Sequence, residues 1–219
     1  AKWVVEIDDA SRIPEFVTRA FSVATSGRPG PVVISLPEDM LTSEVQAPEA
    51  LPHTPVETYP GGAELDALER LLAGAKRPFV ILGGTRWNEE AVARMRAISE
   101  AWSLPVGCSF RRQMLFDHLH ANYAGDVGIG INPKLAAQIK AADVVLLIGG
   151  RMGEMPSSDY TLLKSPYPDQ ALVHVHADAG ELGRVYRPTL AINASPAAFV
   201  EAFAKRKPAG TPSWAAETA

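Results

Sequence analysis

The chain has 219 residues, 47% of them hydrophobic and 21% charged, with a formal net charge of −4. That profile suits a globular protein of one large domain, or one domain plus part of another. No run of Lys or Arg offers a track for a phosphate backbone, which argues against a nucleic-acid partner. No apolar stretch approaches the roughly 20 residues of a membrane helix, and AKWVVEIDDA lacks the layout of a signal peptide. Cys108 is the only cysteine, so intrachain disulfides are excluded and a reducing, cytoplasmic setting is expected.

Taken in order, residues 3–7 predict a short strand. Ser11 is a candidate N-cap, with Pro14 and Glu15 in the first turn. Ile13, Phe16, Val17, Ala20, Phe21 and Ala24 recur at helical spacing up to about Thr25. GRPGP at 27–31 breaks that helix, and 32–36 predicts a second strand. This strand–helix–strand piece is too small to bury its own apolar surface, so 1–41 is expected to be the remnant of a preceding domain. Residues 42–60 hold four prolines and no periodicity, as a linker does.

From 61 to 207 strands and helices alternate. Helices are predicted at 63–72 (Gly74 as its cap), 89–102, 133–141, 180–185 and 196–205. Strands are predicted at 77–84, 104–108, 144–148, 171–177 and 189–192, with 117–130 irregular. The run VVLLI at 144–148 is continuously apolar and β-branched at its start, which suits a strand buried on both faces. The alternation implies an α/β domain, a doubly wound and mainly parallel Rossmann-like sheet with helices on both faces. Residues 208–219 read as linker or disordered tail.

Candidate chemistry gathers at strand ends. Gly83-Gly84 and Gly149-Gly150 each follow a core strand, where glycine lets a backbone approach a pyrophosphate or simply leave the sheet tightly. No G-x-G-x-x-G or P-loop follows either strand. Arg111, Arg112 and Arg151 also lie past strand ends, able to clamp a phosphate or carboxylate or to pair with Glu154, Asp117 or Asp126. His174-x-His176-x-Asp178 has strand spacing that would put three ligands on one face, so a metal-dependent hydrolase is a remote alternative. Cys108 at a strand end reads as a small buried hydrophobe.

The order of segments resembles the thiamine-diphosphate-dependent enzymes of the acetolactate synthase type. GRPGPVVISLPEDM is similar to the end of their pyrimidine-binding domain; RPFVILGG, SLPVGCSF, NYAGDVG, AADVVLLIGGRMGE and LVHVHADAGELGR resemble successive landmarks of their middle domain. The resemblance implies a parent enzyme that uses thiamine diphosphate and Mg²⁺ to decarboxylate or carboligate 2-keto acids as a cytoplasmic homodimer or homotetramer. It implies a catalytic glutamate in the first domain and a G-D-G plus asparagine motif in the third. Neither occurs here, since Gly125-Asp126-Val127 lacks the third glycine, so the fragment is expected not to be catalytic alone. It also implies that the remaining pyrimidine- and diphosphate-binding domains are the partners.

In some members the middle domain holds FAD or ADP. By that similarity Gly83, Gly84, Ser109, Phe110, Gly149 and Arg151 would line the nucleotide. His176 and the pair Ala194-Ser195 stand where FAD-binding members carry acids, leaving Asp178 as the substitute ribose acceptor. A self-standing FAD-, ADP- or NAD-binding module is the competing reading.

Overall fold

The structure, a computed structural model, describes residues 1–215. The chain divides into two compact units, Ala1–Glu57 and Thr58–Ala219, and the division falls inside the 42–60 stretch expected to be a linker.

In the first unit, β1 (Trp3–Glu6) pairs in parallel with β2 (Val32–Ser35), and α1 (Ile13–Thr25) connects them. The helix entry differs from the expected Ser11 cap. Asp9 is the capping side chain, accepting from the Ser11 N–H at 2.9 Å, and Ala10–Arg12 forms a 3₁₀ turn before α1. Phe16 is buried and stacks on Trp3 at 5.9 Å, whereas Phe21 on the same helix is 61% exposed. A short α2 (Glu38–Thr42) follows.

The second unit is a six-stranded, wholly parallel sheet. Its strands are β3 (Pro78–Leu82), β4 (Val106–Ser109), β5 (Tyr123–Val127), β6 (Val144–Ile148), β7 (Ala171–Val175) and β8 (Leu190–Ile192). Their spatial order is β5-β4-β3-β6-β7-β8. The order reverses between β3 and β6, the arrangement of a doubly wound sheet with a crevice at the carboxyl ends of those two strands.

Alternating strand residues feed two separate cores. Val80, Leu82, Leu146, Ile148, Val173 and Val175 face α3 (Gly62–Gly74), α4 (Glu89–Trp102) and α6 (Pro196–Phe203). Phe79, Ile81, Val145, Leu147 and Leu172 face α5 (Pro133–Ala141). Helices therefore lie on both faces, but unequally. The β6–β7 connection supplies no helix; Met152, Leu162 and Leu163 from its loop, with Tyr186, complete the second core.

Local chemistry sets the helix ends. Asn88 and Asn132 cap α4 and α5, and Ser195 caps α6, each side chain accepting from a first-turn N–H. Gly74 closes α3 from inside the helix, and Ala75 is the extended C-cap. Ser103 ends α4 in the left-handed region (φ 50°). The carbonyls of Trp102 and Ser103 accept from the Trp214 indole at 3.0 and 2.9 Å, which satisfies acceptors a helix end leaves open. Trp214 is buried, so the expected linker or tail lies folded onto the domain at that point; residues 216–219 fall outside the described residues.

Candidate functional site

The two glycine pairs meet at the switch point. Leu82 and Ile148 are register partners, and the Gly83 N–H donates to the Ile148 carbonyl at 3.0 Å. Beyond them the two turns press together. A Cβ on Gly83 would stand 2.9 Å from the Gly150 Cα, and one on Gly84 (φ 70°) would collide with the Gly149 carbonyl oxygen. Gly149 (φ 72°) is equally confined, since a Cβ there would stand 2.5 Å from Pro196 and 2.7 Å from the Gly83 carbonyl oxygen. Glycine is required here for backbone meeting backbone.

Trp87 covers this junction. Its indole N–H donates to the Gly83 carbonyl at 2.8 Å, and a Cβ on Gly149 would lie 3.4 Å from the same nitrogen. Ser109, at the end of β4, is buried with its hydroxyl against Gly83. Phe110 carries the Arg111 guanidinium 5.0 Å over its ring, and Arg112 donates to the Arg111 carbonyl. Neither arginine takes the acidic partners proposed from sequence.

Arg151 pairs with Glu181 at 3.7 Å, a residue not among Glu154, Asp117 and Asp126. Glu181 is buried and also meets Arg184 at 3.1 Å. Asp178 spends its carboxylate on the Gly180 N–H at 2.9 Å, capping the 3₁₀ turn Ala179–Glu181 that replaces the expected 180–185 helix.

The His174-x-His176-x-Asp178 spacing does not assemble a metal set. β7 ends at Val175, so His176 and Asp178 leave the alternation that would align them. His174 bonds the Gly150 carbonyl at 3.0 Å, while His176 Nδ1 accepts from the Asp178 N–H at 3.0 Å. Burial, with His176 nearby, pushes His174 down to about 4, against the smaller opposing pull of the Gly150 carbonyl and Glu181; the ring is neutral near pH 7. Among the described residues no group of three or more His, Cys, Asp or Glu could hold a metal ion.

Cys108 sits in the larger core, and burial, aided by the Asp126 charge, pushes its thiol up to about 12. It is no nucleophile at neutral pH. Gly125-Asp126-Val127 lies on β5, where Asp126 accepts from Gln113 at 3.0 Å.

Sequence reasoning missed Trp87, Glu181 and Tyr186. A large aromatic side chain three residues past a glycine pair was a usable signal for the first. No local signal marks the other two, which reach their partners through the fold.

The family model for "Thiamine pyrophosphate enzyme, central domain" matches residues 65–203. The chain belongs to the thiamine pyrophosphate enzyme central-domain family. Curated relatives include an acetolactate synthase of Mycobacterium leprae, 27% identical over 78% of this chain. A sulfoacetaldehyde acetyltransferase of Castellaniella defragrans is 30% identical over 87%. The chain spans 28% and 32% of those two relatives' own lengths. The solved structure of a protein described as a thiamin diphosphate-dependent enzyme from Mycobacterium smegmatis superposes with a TM-score of 0.76 at 22% identity. That match covers 96% of this chain and 41% of the other, and it supports the fold alone. Among the described residues, no helix of this central domain is long and apolar enough to cross a membrane.

Proposed function

We propose that this chain is the waist of a larger thiamine-diphosphate enzyme that decarboxylates a 2-keto acid or passes the resulting acyl carbanion equivalent to an acceptor. The observation that carries this reading is the family match over 65–203. The printed activities of its relatives, an acetolactate synthase and an acetyltransferase, support the reaction class. Thiamine diphosphate, when bound, supplies the electron sink for such chemistry.

The residues described here do not fit that cofactor or its Mg²⁺. No metal-holding cluster is present among them, and Asp126 is engaged by Gln113 on a strand. Cofactor and metal are assigned to the pyrimidine- and diphosphate-binding domains of the parent, proposed as a cytoplasmic homodimer or homotetramer. This domain's part is structural.

FAD and ADP are poor fits as well. The glycines that would admit a pyrophosphate are packed on each other and covered by Trp87, while Asp178 has its partner within the domain. For the same reasons the self-standing nucleotide module is the weaker reading.

The test compares the 219-residue chain with the longer protein encoded in frame with it. Given thiamine diphosphate and Mg²⁺, the longer protein is expected to consume a 2-keto acid such as pyruvate, and the chain alone is expected to be inert. Turnover by the chain alone overturns the proposal. A thermal shift of the chain with FAD or ADP would overturn the nucleotide part by itself.

A further inference from the structure

Beside the carboxyl ends of β6 and β7 lies a cavity of about 150 Å³ that the roles above leave unused. Its floor is apolar, from Leu147, Leu172 and Val185. Its polar lining is Arg151, Glu181, Arg184, His174, Tyr160 and Tyr186. The geometry points to a binding site for a small organic monoanion, a short-chain carboxylate whose apolar tail rests on that floor.

Charge on the lining is unbalanced. Arg184 and Arg151 reach the same oxygen of Glu181, at 3.1 and 3.7 Å. Two guanidiniums thus share one buried carboxylate, and the neutral His174 ring contributes no charge. One further negative charge completes the set. The Arg184 and Arg151 side chains are 62% and 45% exposed, so one can turn toward an incoming carboxylate while the other stays on Glu181. Arginine is the side chain best shaped for that partner.

One observation independent of the charge count favours a ligand. The loop that places Tyr160 on the cavity wall is strained. Ser158, Asp159 and Tyr160 are successively left-handed, with φ of 50°, 56° and 59°. Non-glycine residues visit that region singly as a rule, and such strain gathers at binding sites. The turn is held by the Tyr160 N–H donating to Ser157 Oγ at 2.8 Å and the Asp159 N–H donating to the Glu154 carbonyl at 2.8 Å. Volume limits the guest. At about 30 Å³ per water the space takes roughly five waters, enough for a short acid and too small for a nucleotide.

Calorimetric titration of the 219-residue chain with isobutyrate tests this, with isobutyramide as the uncharged isostere and inorganic phosphate as a second anion. Isobutyrate is expected to bind with Kd of ~1 mM, and the amide and phosphate at least about tenfold more weakly. Arg184→Gln and Arg151→Gln are each expected to weaken isobutyrate about tenfold, with circular dichroism unchanged. Because Arg184→Gln also removes the nearer partner of the buried Glu181, urea denaturation of each variant is recorded beside the titration to confirm that it is folded. Absence of isobutyrate binding overturns the site, as does equal binding of the amide or tighter binding of phosphate. Binding that neither variant weakens would also overturn it.

Discussion

The backbone of Gly84 passes so close to Gly149 that a Cβ on the first would collide with the carbonyl oxygen of the second. Gly84 also has φ 70°, where a side chain is strained whatever the space. Gly84→Ala is therefore expected to lower stability by about 3 kcal/mol or more, combining backbone strain with displacement of the facing turn. Gly153→Ala is the control, since a Cβ there meets nothing within 4 Å. It should fall within about 0.5 kcal/mol of the parent in urea denaturation.

His174 gives the second unit an acid-sensitive term. Its folded pKa lies near 4, below the ordinary 6.5, because burial disfavours the charged ring. Above pH 6.5 the ring is neutral in folded and unfolded chains alike. As pH falls below 6.5 the unfolded chain binds a proton that the folded one refuses, and stability declines until about pH 4. Between pH 7 and pH 5 the loss should be about 2 kcal/mol. His174→Gln, which keeps a donor near the Gly150 carbonyl, should remove most of that difference in urea denaturation curves recorded at the two pH values.

Cys108 should be silent toward thiol reagents. It is fully buried and held as the thiol, so labelling by a disulfide reagent at pH 8 should proceed only through opening of the core. The labelling rate of the folded protein should lie at least about a thousandfold below that in denaturant, as the population of open forms dictates.

Asp143 joins two parts of the sheet at the edge opposite the glycines. Its carboxylate accepts from the backbone N–H groups of Lys76 (2.6 Å) and Arg77 (3.0 Å), just before β3, while it precedes β6 itself. Asp143→Ala leaves two donors without that partner and should cost about 2 kcal/mol, measurable as a fall in urea midpoint at unchanged slope.

The elements that sequence pattern located best were those with undivided periodicity. Val144–Ile148, Glu89–Trp102 and Pro133–Ala141 have the bounds their apolar spacing and capping residues predict. β5 was missed for a physical reason. It is an edge strand carrying Gly125 and Asp126, residues of low strand propensity, and its register shifts against Val106 and Gly107. At the switch point, the position of the glycine pairs was legible because glycine marks strand exits. Their packing by Trp87 and Pro196 was not, since it depends on where α4 and α6 start. The Arg151–Glu181 pair was illegible for a similar reason: thirty residues and an entire strand separate the two, and only the fold brings them within 3.7 Å.

The strap that carries Trp214 bears on how this domain can be isolated. The family's own match stops at 203, yet an indole eleven residues later is lodged beside Trp102, donating to the last carbonyls of α4. Ser213 adds a bond to the Ala75 carbonyl at 3.1 Å, fastening the same segment to the exit of α3. An excised domain trimmed at residue 203 would expose the ring of Trp102 and strip two helix termini of their acceptors' partners. The folding unit runs past the stretch that the family model matches, and a cut between the two would yield a stickier, less robust protein.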